Sequence, residues 1–198
     1  MSELKPGDAK LVQWLAEAHA KEAELEADLS AHIAMTTRDT HRKRLKEHLK
    51  ETRSHKKLVE RRIKRLGGDP PGSGLVAVPG EVAGKAVAAV KGQVGTVRAA
   101  LTGETEMHLR NAQEELREEH VEIAIYTRIA DFADAIGDRE TAKLARDILR
   151  DERRMAKFLE AEIGRLVKRT VVEVVPARDR AATPKRRPAK RKPAKAAA

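Results

Sequence analysis

The chain has 198 residues, 40% hydrophobic and 36% charged, with no cysteine and only four aromatic side chains: Trp14, Tyr126, Phe132 and Phe158. That length suits one domain with appendages, and the missing cysteine excludes disulfides, thiolate zinc sites and cysteine nucleophiles. The net charge of +10 is uneven, because residues 178–198 hold nine cations against Asp179 alone and leave a net +2 for the rest. Basicity is therefore expected in a tail rather than in the body. Ala, Leu, Glu, Lys and Arg dominate, the composition of helices rather than of strands. The opening MSELKPGDAK has no apolar run and does not read as a signal peptide. The least polar stretch, 74–101, is broken by Glu81, Lys85, Lys91 and Arg98, so no membrane span is expected. A cytoplasmic, bacterial protein is the expectation.

A first helix is predicted from Asp8 to Met35, with apolar positions three and four apart at Leu11, Leu15, Ala18, Leu25 and Leu29. Glu22 falls on that stripe. Thr37 or Asp39 is placed to cap a second helix over 39–66, which ends at the breaker Gly67-Gly68-Asp69-Pro70-Pro71-Gly72. Its stripe reads Leu45, Leu49, Thr52, Val59, Ile63 and Leu66, with His48, Glu51, His55 and Leu58 along one edge. Residues 67–103 form a long connection. Its stretch after Pro79 has weak helical spacing (Val87, Val90, Val94, Val97, Leu101) diluted by glycines. A link of that length suits a bundle whose second and third helices run parallel.

The third helix is expected over Glu104–Ile136, ending at Gly137, with Glu119 and Glu122 on its apolar side. The fourth is expected over Arg139–Lys168, with Glu152 between Ile148 and Met155. The bundle is thus bounded as residues 1–168. The segment 169–198 is expected to be a disordered tail, although Thr170–Val175 is briefly apolar and β-branched.

Four helices each place a carboxylate where periodicity expects a core residue: Glu22, Glu51, Glu119 with Glu122, and Glu152. A buried lone carboxylate is unfavourable unless it is paired, protonated or bound to a cation. Several converging carboxylates are most simply neutralised by metal, as in carboxylate-bridged two-metal bundles. Chance placement at stripe edges, with the side chains reaching solvent, is the alternative. His48 and His55 share a face with Glu51, whereas His19, His32, His41 and His108 are expected to be solvated.

The run His48-Leu49-Lys50-Glu51-Thr52 resembles the second-helix signature of a bacterial ferritin-like family, the Yci-type stress-associated proteins. Glu119-His120-Val121-Glu122-Ile123-Ala124-Ile125-Tyr126 resembles its third-helix signature, and the spacing continues to Glu152 as in that family and the rubrerythrin branch. The resemblance covers about residues 8–166. It implies an all-α, ferritin-like four-helix bundle with a di-iron or di-manganese centre, a homodimer, and Glu22, Glu51, Glu119, Glu122 and Glu152 as ligands. Where such sites often have Glu-x-x-His, this chain has Ser54 after Glu51 and Met155 after Glu152. The imidazole ligands would then come from His48, His55 or His120, or the fold carries no metal. Tyr126 is either a redox neighbour or a core tyrosine.

The tail carries Lys185, Arg186, Arg187, Lys190, Arg191, Lys192 and Lys195 among proline and alanine, and resembles linker-histone and nucleoid-protein tails. Closely spaced cations on an extended chain displace counterions from a phosphate backbone, so non-specific DNA binding is expected, with a nucleoid association. An anionic membrane surface is the other polyanion considered. Three functions remain: a di-metal protein of oxidant defence tethered to DNA, a non-catalytic architectural protein that binds DNA on a degraded bundle, and an interaction module whose inward Glu and His pair with one another or with Arg62.

Overall fold

The structure, a computed structural model, describes residues 4–71 and 103–181. Four helices make up the bundle: α1 Pro6–Met35, α2 Asp39–Arg65, α3 Glu104–Ala135 and α4 Arg139–Val174, followed by a short 3-10 turn at Ala177–Asp179. The crossover helix expected after Pro79 and the tail cations from Lys185 to Lys195 lie outside the described residues.

Three of the helices end within two residues of the expected positions, and glycine accounts for two of those ends. Gly67 and Gly137 adopt φ of 88° and 79°, the left-handed conformation that a side chain resists. Each lets the next residue's N–H reach back to the helix: Gly68 to the Ile63 carbonyl at 3.0 Å, Asp138 to Ala133 at 2.8 Å. Asp138 then starts α4 by accepting from the Thr141 N–H at 3.0 Å. Arg62 braces that cap, donating to both Asp138 oxygens at 2.8 and 2.7 Å. Arg62 therefore belongs to the end of the bundle and not to the inward carboxylates.

Two local expectations fail for identifiable reasons. Neither Thr37 nor Asp39 caps α2: Thr37 Oγ1 donates to Glu104, and Asp39 accepts from Arg42 at 2.7 Å. Helix α4 runs to Val174, six residues beyond Lys168. Arg180 donates to the Val172 and Val175 carbonyls at 2.7 and 2.8 Å, satisfying acceptors a helix C-terminus leaves open. Thr105 ties the same turn through Glu173 at 2.7 Å.

Cross-helix pairs set the topology. Glu17 meets Arg128, and His32 meets Glu115, so α1 and α3 are antiparallel. Arg62 with Asp138 and Glu51 with Arg154 make α2 and α4 antiparallel. His41 with Glu115 and His48 with Glu119 leave α2 and α3 parallel, as the long connection implied. The core is divided in two. One apolar cluster gathers Leu11, Leu15, Val59, Ile63, Ile129 and Ile148; the other gathers Leu25, Leu29, Leu45, Met155, Leu159 and Leu166. A polar layer separates them.

Candidate metal centre

Every helix crosses from one apolar cluster to the other through that layer. Helix α1 inserts Glu22 between Ala18 and Leu25, and α2 inserts His48, Thr52 and His55 between Leu45 and Val59. Helix α3 inserts Glu119 and Glu122 between Ala112 and Tyr126, and α4 inserts Glu152 between Leu149 and Met155. The four glutamates and His48 are 0% exposed and His55 is 3% exposed. The 3.6-residue period puts all six side chains inward at one level.

These groups converge as two triads that share one carboxylate. Glu22, His55 and Glu152 form the first, and His48, Glu119 and Glu152 the second; within each, one ligand atom per residue lies within 4.8 Å of the others. His55 Nδ1 stands 2.9 Å from Glu152 and 3.5 Å from Glu22. His48 Nε2 stands 2.8 Å from Glu119 and 3.7 Å from Glu152. Despite these distances the approaches are oblique. His48 Nε2, His55 Nδ1 and both oxygens of Glu119, Glu122 and Glu152 lack a hydrogen-bond partner from the protein. Buried polar atoms are ordinarily satisfied, so lone pairs aimed at shared space fit a cation better than they fit each other.

The far side of each imidazole is held. His48 Nδ1 faces Glu51 at 3.2 Å, and His55 Nε2 faces Asp151 at 3.4 Å. A carboxylate on the remote nitrogen is the usual support for a metal-ligating histidine, fixing its orientation. Tyr126 donates to Glu22 at 2.6 Å from one helical turn beyond Glu122. The donor set, oxygen-rich with two imidazoles, suits iron or manganese.

Electrostatics describe how the layer is neutralised by protons alone. Burial disfavours a charged imidazole, yet Glu119, Glu51 and Glu152 outweigh it and lift His48 to about 10. Burial likewise opposes His55, which Glu152 and Glu22 raise to about 10. Burial pushes Glu119 up to about 8 against the pull of His48. It also raises Glu22, and with the neighbouring carboxylates it raises Glu122 well above the ordinary range. Glu152 alone is lowered: its burial is overcome by His55 and His48. The Tyr126 phenol is pushed far up by burial and by the carboxylates Glu22 and Glu122.

The residues expected from the sequence separate into three groups. Glu22, His48, His55, Glu119, Glu122 and Glu152 come together. Glu51 does not enter the layer: its half-buried carboxylate turns outward to Arg44 at 3.1 Å and Arg154 at 2.6 Å. Burial would raise its pKa, but His48, Arg44 and Arg154 lower it to about 2. His120 is exposed and faces the Leu116 carbonyl at 3.0 Å, one turn back along its own helix.

Several buried groups were not expected from the sequence. His19, His41 and His108 are 8%, 0% and 1% exposed rather than solvated, and His32 is half-buried. His32 and His41 grip Glu115 at 2.9 and 3.1 Å, and His19 meets Glu60 at 2.9 Å. The available signal was spacing: His41 lies seven residues before His48, and Glu115 four before Glu119, each on the face of a ligand candidate.

A Xanthomonas campestris protein is similar in structure, with a TM-score of 0.65 at 23% identity over 84% of this chain and 97% of its own. YcfI from Rhodopseudomonas palustris is similar at a TM-score of 0.64 and 20% identity, over 80% of this chain and 95% of its own. Rhodobacter capsulatus bacterioferritin, described with a metal-free dinuclear site and a haem iron, gives 0.59 at 19% identity over 87% and 98%. These likenesses establish the ferritin-like fold. No curated protein matches the sequence. Residues 8–172 match the family described as Domain of unknown function (DUF892), and the chain belongs to that family.

Proposed function

We propose that this protein holds two iron or manganese ions in the polar layer and serves in oxidant or stress defence, with its basic tail on DNA. Glu22 and His55 would hold one ion, His48 and Glu119 the other, with Glu152 between them and Glu122 as a further donor. Bound there, two such ions supply the activation of dioxygen or peroxide. The chain's own groups do the rest. Glu51 and Asp151 orient the imidazoles, the apolar clusters on either side exclude water, and Tyr126 keeps a proton 2.6 Å from Glu22. One observation carries the reading: nine oxygen and nitrogen atoms of the six residues are buried without partners, around a carboxylate common to two triads. The Yci-type resemblance supports the stress role and a homodimer, and the bacterioferritin likeness supports a dinuclear site.

Elemental analysis of protein expressed with both metals tests this. About two ions per chain are expected, falling to none in Glu119→Ala plus Glu152→Ala. Loss of the supporting carboxylate in Glu51→Ala should weaken affinity on the order of 10- to 100-fold without abolishing it. Equal metal in wild type and double variant would refute the site.

A second reading is an architectural DNA-binding bundle without metal. It draws on the two imidazoles raised to about 10, whose protons offset the ionised carboxylates without any ion. It requires DNA compaction to be undiminished in Glu119→Ala plus Glu152→Ala and the protein to bind neither metal.

A further inference from the structure

Charge in the described bundle is segregated by helix. Helix α1 carries two lysines and arginines against six carboxylates, and α3 carries three against nine. Helix α2 carries twelve against four, and its neighbour α4 ten against seven. One side of the bundle is therefore acidic and the opposite side basic, although their sum is close to balance. The net basicity stays with the tail, as expected; within the bundle it is the distribution that is uneven.

The excess on α2 is concentrated along its solvent face. Lys43, Lys46, Lys50, Lys57, Arg61 and Lys64 are all exposed, and none is ion-paired among the described residues. Their steps of three, four and seven keep them in one row. Outward faces elsewhere in the same protein intersperse the two signs: Lys143 pairs with Asp147, Arg110 with Glu106 and Arg169 with Glu173, each four residues apart. Like charges at that spacing repel. A face meant only for solvent has no reason to stack cations where its neighbours alternate.

We propose that this row on α2 is a docking surface for the phosphate backbone of double-stranded DNA, independent of the tail. From Lys43 to Lys64 the row spans about 32 Å at 1.5 Å per residue, close to the roughly 34 Å of one duplex turn. The large exposed apolar side chains among the described residues (Val121, Ile136, Val167, Val171, Val172 and Val174) all lie off α2, so the row has nothing to insert into a bilayer. It also has no aromatic ring on which an unpaired base would stack. A straight cationic ridge, with Glu47 the one exposed carboxylate of α2 within its span, reads charge and spacing, not sequence. Because α2 also carries His48 and His55, bound DNA would lie against the helix that supplies both imidazoles.

The test uses full-length chains and a fluorescently labelled 30-base-pair duplex, with affinity measured against salt. One variant replaces Lys43, Lys50, Lys57 and Lys64 by Gln; a second replaces the seven tail cations from Lys185 to Lys195 by Gln; circular dichroism checks that each keeps its helix content. The tail variant should still bind duplex. The ridge variant should lose about three to four from the slope of log affinity against log salt, near 0.9 per neutralised phosphate. The combined variant should not bind. A tail variant that fails to bind while wild type binds would overturn the ridge and leave the tail reading intact. A tail variant indistinguishable from wild type would support the ridge and remove the tail. A ridge variant with an unchanged slope, or a tail variant that adsorbs to phosphatidylserine vesicles or self-associates while ignoring duplex, would also overturn the ridge.

Discussion

Two clusters of buried Glu and His lie along the bundle, and they are built on opposite principles. In the cluster at Glu115, the carboxylate meets His32 and His41 in well-directed hydrogen bonds at 2.9 and 3.1 Å. In the cluster at Glu152 the contacts are equally short, yet the atoms do not point along one another's bonds, and both Glu152 oxygens stay unpartnered. In the first only His41 Nδ1 is left buried without a partner; in the second, the open cluster, nine atoms are. Burial of charge alone therefore does not mark a binding site; convergence of unsatisfied lone pairs does.

The sharpest way to break this contrast is to remove one carboxylate from each cluster in metal-free protein. Glu115→Leu strands two imidazoles and should destabilise by about 3–5 kcal/mol. Glu122→Leu removes a buried, unpartnered acid and should instead stabilise by about 1–3 kcal/mol while weakening metal binding. Thermal or urea unfolding of both variants reads the two signs, and destabilisation by both would erase the distinction. Opposite signs would match the trade between stability and function seen where a site is strained for a ligand.

pH acts on both clusters, and His32 is raised too, its burial outweighed by Glu115. His48 and His55 are raised to about 10 in the fold, above the 6.5 of a free imidazole. Their contribution is complete below pH 6.5 and is lost as pH rises through 10. Glu119, raised to about 8, works in the same direction, because its protonated form is the one the fold prefers. Glu115 is lowered: its burial is outweighed by His32 and His41, so its contribution is present above pH 4.5 and is lost in acid. Metal-free protein should therefore weaken steadily from neutral pH to pH 10, and manganese should flatten that decline. An unfolding series across pH with and without Mn(II) checks both statements.

Smaller effects sharpen the boundary of the open cluster. Tyr126→Phe deletes the 2.6 Å bond to Glu22 and should cost about 1 kcal/mol, with metal stoichiometry unchanged. His120→Ala, at an exposed position, should alter stability by less than about 0.5 kcal/mol and leave metal content as it is. A large loss of metal in His120→Ala would place the centre elsewhere on α3.

Much of this could be read from the sequence because helical periodicity is robust. Glu22, Glu119, Glu122 and Glu152 interrupt otherwise apolar faces, and each proves buried. Helix α2 misleads for a specific reason. Its inward face is His41, Leu45, His48, Thr52, His55, Val59 and Ile63, so residues that looked like an edge are its centre. Glu51 sits about 100° round from Thr52, close enough to resemble a ligand but turned to the arginines. The burial of Glu118 and Glu162 could not be read locally, because each depends on a distant partner: Lys21 of α1 and Arg38 just before α2. The extension of α4 depends likewise on Arg180 folding back. The segregated charge of α2 and α4 was hidden by summing over the chain.

The measurement that bears most directly on the open cluster is an anomalous difference map from crystals grown with Mn(II). Two peaks are expected, one between Glu22, His55 and Glu152, the other between His48, Glu119 and Glu152. A map with no peak in this layer, or with its only peak at His32, His41 and Glu115, would contradict the assignment.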